Sequence, residues 1–198
     1  MKGRAVQIAL SLGLLGLAGC SPSNSLSGSV SELFPPGAYG PGGLTFNSVD
    51  VRSDSEAFVV TYYFTQSAQT TTVIQLHVET DGGIDFSPGQ TIDLAGDIDD
   101  AGRPRTSVLH FDPGDGQPAL VLPAVRQGSL SLGCSLQVGQ TSCGSFSMSF
   151  VDDGTAGSNR TLAGGFDQTL QNGEFPPDSG YYIDAGPWDA GAFVVGSR

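Results

Sequence analysis

The sequence runs to 198 residues with a formal net charge of −12, and its only lysine is Lys2. So acidic a chain repels phosphate backbones and anionic lipid headgroups, which argues against nucleic-acid binding and against membrane attachment through a basic patch. Apolar residues make up 38% of the chain, too many for wholesale disorder, while 29 glycines and abundant Ser, Thr and Asp favour turns and strands over helices.

Residues 1–4 carry two positive charges, Lys2 and Arg4, and residues 5–18 form an apolar run broken by Gln7, Ser11 and several glycines. That run is too short and too glycine-rich for a stable membrane span, and no stop-transfer charge cluster follows it. It ends in Leu17-Ala18-Gly19-Cys20, which closely resembles the lipobox of bacterial lipoproteins. The resemblance implies that residues 1–19 are a removable signal. It also implies that the thiol of Cys20 receives diacylglycerol and that the new amino group is acylated, for example by palmitate. A single buried acyl chain, at roughly 0.8 kcal/mol per methylene, anchors only reversibly, whereas two or three make release negligible. Ser21 stands where an Asp tends to retain such proteins on the inner membrane. The resemblance therefore implies an envelope address on the outer membrane of a Gram-negative bacterium, with lipid on Cys20 as the membrane contact.

Residues 20–43 are rich in Ser, Pro and Gly, with Pro35-Pro36-Gly37 and Pro41-Gly42-Gly43. They read as a tether, flexible where Ser and Gly dominate and stiffer at Pro. An irregular strand around Leu33-Phe34 is the other reading. Residues 44–171 form the expected domain, in which a period of two recurs. Phe58, Val60, Tyr62 and Phe64 alternate with Ala57, Val59, Thr61 and Tyr63. Ile74, Leu76 and Val78 are set against Val73, Gln75, His77 and Glu79. Leu130, Leu132, Cys134, Leu136 and Val138 alternate with polar residues, and Phe146, Met148 and Phe150 alternate with Ser145, Ser147 and Ser149. Each run predicts a half-buried strand. Weaker strands fit residues 44–51, 84–94, 106–112, 119–125 and 161–170. Turn signals such as Asp81-Gly82-Gly83 and Asp152-Asp153-Gly154 separate them. Short, closely spaced strands predict an all-β fold, preferably an antiparallel β-sandwich of about eight strands, with a closed barrel as the alternative. Residues 172–198 lose the alternation and read as a low-complexity tail, partly ordered at best, although Tyr181, Tyr182, Trp188 and Phe193 argue against pure solvation.

With Cys20 consumed by lipid, Cys134 and Cys143 remain, an even pair in an exported chain, which predicts a disulfide. The alternation poses a difficulty. Cys134 shares the parity of Leu130 and Leu132, whereas Cys143 opposes that of Phe146 and Met148. A regular hairpin pairing the two cysteines would put Leu132 opposite Ser145, so a bulge is expected, at least steric cost at Gly144.

Motifs for defined chemistry are missing. The sequence has no G-x-S-x-G elbow, no H-E-x-x-H, no phosphate-binding glycine loop and no nucleotide fingerprint. His77 sits on the polar face of its strand and reads as a surface histidine. Asp93, Asp97, Asp99 and Asp100 cluster, and Asp97-Ile98-Asp99-Asp100-Ala101-Gly102 partly resembles a calcium loop. Ala101 replaces one ligand there, and Val108 stands where a bidentate Glu belongs. Calcium needs six to eight oxygens, so only a looser Ca²⁺ site remains open, against a solvated acidic turn. An exposed aromatic such as Tyr63 offers a weak platform for a glycan. The expected role is thus a non-enzymatic structural or interaction module on the envelope, with an envelope protein as partner. The alternative is a module that binds calcium or a glycan.

Overall fold

Alternating apolar and hydroxyl residues give this chain its strands, and chain-distant contacts decide how they join. The computed structural model describes residues 23–37, 40–55, 57–80, 86–96, 104–113 and 118–173. Cys20 and the signal, Asp97, Asp99, Asp100 and the segment beyond Gly173 lie outside the described residues. In chain order the elements are β1 (Ser25–Ser27), a 3₁₀ turn (Ser29–Leu33), β2 (Ser48–Ser53), β3 (Ala57–Gln66), β4 (Gln69–Glu79) and β5 (Thr91–Asp93). Then follow β6 (Thr106–Phe111), β7 (Leu120–Val121), β8 (Val125–Leu132), β9 (Thr141–Phe150) and β10 (Thr161–Asn172).

The all-β class is as expected. The strands form one ten-stranded sheet in the order β5-β8-β9-β10-β2-β3-β4-β6-β7, with β1 on β10, curled into an open half-barrel. Pairing is antiparallel apart from the junction of the two limbs. There β10, after running beside β9 through residues 161–169, lays Leu170, Gln171 and Asn172 parallel to Val51, Arg52 and Ser53. Curling brings the limbs face to face. Tyr62, fully buried on β3, donates its hydroxyl to the carbonyl of Gly165 on β10 at 2.8 Å. The Tyr62 and Phe146 rings lie 6.2 Å apart and those of Phe58 and Phe166 5.7 Å apart. Burial pushes the Tyr62 phenol far up from its ordinary value, so it stays a neutral donor.

The inward set matches the alternation: Phe58, Val60, Ile74, Leu76, Val78, Leu130, Phe146 and Phe150 are buried in one cluster. The outer face of β3 and β4 is buried as well, with Val59 at 3% and Thr61 at 2% exposure, whereas the pattern predicts a half-buried strand. Gln75 donates to Thr61 there across the strands at 3.4 Å, so these buried polar groups satisfy one another.

Residues 20–43 need a correction: from Asn24 onward the expected tether is part of the domain. β1 pairs antiparallel with β10, Ser25 opposite Gly165. Val30 is fully buried and Phe34 is 8% exposed, both within the core. Thr161 donates its amide to Ser29 Oγ at 2.9 Å, and Arg160 reaches the carbonyl of Ser29 at 2.7 Å and Glu32 at 2.6 Å. The backbone of β1 finds its hydrogen bonds on a strand far away in sequence, where a composition-based reading does not look.

The bulge expected at Gly144 is also corrected. β8 and β9 pair regularly from Gln127 to Leu132, with Leu130 opposite Phe146 and Leu132 opposite Gly144. Gly144 is there to seat an aromatic ring: a Cβ on it would lie 2.5 Å from Cζ of Phe166, its partner on β10. Gly164 seats Phe146 in the same way, again at 2.5 Å.

Candidate functional site

A cleft lies between the N-terminal segment and the β3–β4–β6–β7 limb. Its volume is about 440 Å³, within the usual range for a small-ligand site. Phe34, Phe64, Val73 and Leu120 supply apolar walls, and Gly37, Gly40, Gly42 and Gly43 form a rim almost without side chains. Gly42 sits at φ 82°, and a Cβ there would lie 2.5 Å from the nitrogen of Pro36, so this turn needs glycine.

His110 on β6 is the main polar group of the cleft. Its ring packs on Phe34 at a centroid distance of 4.6 Å. Nδ1 lies 3.1 Å from the carbonyl oxygen of Val73, which fixes Nδ1–H as the donor. Nε2 stands 3.6 Å from Oδ1 of Asp112. Both ring nitrogens therefore already face oxygen acceptors. A general base needs one nitrogen held by an orienting acceptor and the other open to a nucleophile. The hydroxyls lining the cleft are those of Thr45 and Thr71. The arrangement orients a polar group at the mouth of an apolar cleft.

The residues singled out from sequence are scattered. Cys134 and Cys143 are joined, their Cα atoms 5.0 Å apart. The parity conflict is resolved at the end of β8, because after Leu132 the chain leaves the ladder. The amide of Gly133 then donates to the carbonyl of Cys143 at 2.8 Å, and Cys134 swings across to meet Cys143 instead of continuing toward Ser142. Gly133 leaves room for the sulfur, since a Cβ there would lie 3.2 Å from Sγ of Cys143. Asp93 is exposed on β5, with Oδ1 accepting from the amide of Ala95 at 3.0 Å and its carbonyl accepting from Arg105 at 3.2 Å. One of its carboxylate oxygens thus closes a local turn.

His77 is more enclosed than a surface histidine. Its side chain is 20% exposed, and Nδ1 is 3.7 Å from Glu79. Burial holds its pKa below the ordinary value, with the Asp54 carboxylate opposing that shift more weakly. Tyr63 is half-buried, and burial raises its phenol, so it is a poor glycan platform.

No local sequence signal marks the cleft. Its rim, Pro35-Pro36-Gly37 and Pro41-Gly42-Gly43, has the composition of a tether, and nothing local connects it to His110. No protein-family model matches the chain, and no curated protein or solved structure matches it either.

Proposed function

We propose that this chain is a bacterial envelope lipoprotein, cut before Cys20 and lipid-anchored there, whose domain serves a non-enzymatic binding or structural role. The observation that carries the reading is the tetrapeptide Leu17-Ala18-Gly19-Cys20, which is followed almost at once by a folded domain whose first strand starts at Ser25. A cytoplasmic chain has no use for an apolar leader ending in cysteine ahead of such a domain. The Cys134–Cys143 pair supports export to an oxidising compartment. No helix among the described residues is long and apolar enough to cross a membrane, so attachment is assigned to the lipid. The cleft under the N-terminal segment is the binding surface in this reading, taking an apolar group with a polar end toward His110 and Asp112. The facing limbs, packed through Tyr62, Phe146, Phe58 and Phe166, support reading the curl as sandwich-like. Labelled fatty acid fed to producing cells should enter the protein, and mass spectrometry should find a diacylglycerol-modified Cys20 at the N-terminus. Cys20→Ser should abolish both and leave uncleaved precursor. Normal processing and membrane retention of that variant would refute the anchor.

A further inference from the structure

We infer that the uncharged, disulfide-closed loop between β8 and β9 is a contact surface for the bilayer that holds Cys20; this rests on the lipid anchor proposed above. Three peptide steps separate Cys20 from Ser23, and at about 3.5 Å per residue they reach at most about 11 Å. The domain is therefore held against the membrane surface, and the direction in which the chain enters it decides which end faces the lipid.

That direction is fixed. β1 runs antiparallel to β10, with Ser25 opposite Gly165. One residue earlier, Asn24 Oδ1 accepts from the amide of Asp167 at 2.9 Å. Traced back toward Cys20, the chain heads for the end of the sheet where β9 begins, Thr141 opposite Thr169. The β8–β9 loop lies at that same end. It is tied to β10 by Gly139 N–H to Leu170 O at 2.8 Å and by Leu170 N–H to Gln140 O at 2.9 Å. The Cys134–Cys143 bond closes it.

The loop carries no charged side chain. Residues 127–151 contain no Asp, Glu, Lys, Arg or His, in a protein whose net charge is −12. At its tip Val138 is 58% exposed, against 37% for Val121, the other exposed large apolar residue among those described. The far end of β9 leads instead into Asp152, Asp153 and Arg160. The same end also carries Asp167, opposite Cys143, and Asp54 after β2, which anionic headgroups repel, so the contact is assigned to the loop alone. An acidic domain held this close meets the bilayer through its uncharged loop. Val138, on a loop already restrained by its disulfide, enters the interface with little further ordering.

The test uses the full-length protein, purified in its lipidated form and reconstituted into vesicles of phosphatidylethanolamine and phosphatidylglycerol. Trp188 is the only tryptophan, so a Trp188→Phe background allows one reporter at a time. V138W should emit to the blue of free tryptophan and be quenched severalfold more by brominated lipid than A156W, at the opposite end of β9. Equal quenching of the two, or none at V138W, in protein that still floats with the vesicles overturns the loop contact and leaves the anchor standing. Protein that fails to float, or a Cys20→Ser variant that floats equally well, refutes the anchor and the inference falls with it.

Discussion

Gly144→Ala separates the ring-seat role of this glycine from a role in a bulge. The new methyl would lie 2.5 Å from Cζ of Phe166 and 2.6 Å from the carbonyl oxygen of Ser131. Apolar atoms pack best at roughly 3.5–4.0 Å, so the overlap is about 1 Å on each side. The ring is pinned in the core, and the carbonyl belongs to the β8–β9 ladder, so neither yields readily. Overpacking of this kind costs about 3 kcal/mol at the upper end of its usual range. Replacing a strand glycine returns about 0.5–1 kcal/mol of backbone entropy. The net expected loss is about 2 kcal/mol, or roughly 4–8 °C in melting temperature for a domain of this size. Urea unfolding at constant m-value measures it. Gly37→Ala is the control, because a Cβ there meets only the carbonyl of Pro35 at 3.8 Å; it should stay within about 0.5 kcal/mol of the parent. Adding Phe166→Leu to Gly144→Ala should cost about 1 kcal/mol less than the sum of the single changes, since the clash with the ring is gone. A Gly144→Ala protein within about 0.5 kcal/mol of the parent would refute the seat.

Val30→Ala should destabilise by about 2 kcal/mol in the same urea assay, from two lost methyl groups and the cavity they leave; no change would return residues 23–34 to the status of a tether. Replacing Cys134 and Cys143 together by Ser should lower stability by about 2.7 kcal/mol through loop entropy, and thiol titration of the unfolded, unreduced parent should find neither cysteine free. Ser142 is fully buried with no hydrogen-bond partner for its hydroxyl, so Ser142→Ala should raise stability by about 1 kcal/mol in thermal unfolding. For His77 the folded pKa lies below the ordinary 6.5, so the unfolded chain binds the proton more readily. Stability should therefore be full above about pH 6.5 and fall as pH drops from there through the lowered folded value; in a pH series of urea midpoints, His77→Gln should flatten that slope.

Much of this fold was legible because alternation is a local property. Phe146, Met148 and Phe150 read as one buried face and are 3%, 5% and 0% exposed. The hydroxyl-rich opposite positions, together with turn signals such as Asp152-Asp153-Gly154, marked an all-β chain. The cysteine pair was legible too, but the site of its irregularity was not. Leu136 and Val138 continue the parity of Leu132 although the strand has ended, so alternation does not tell where a ladder stops.

What the sequence by itself determined is most of the strands, their inward face and the export signal resemblance, all carried by neighbouring residues. Tertiary structure alone decided that Ser25–Ser27 belongs to the sheet, that Phe34 meets His110 to make the cleft, and that β10 bridges two limbs. Thr161 and Ser29, whose hydrogen bond anchors the N-terminal segment, stand 132 residues apart. A Ser/Pro/Gly stretch has the same local composition whether it is solvated or paired, and burial against a distant strand makes the difference.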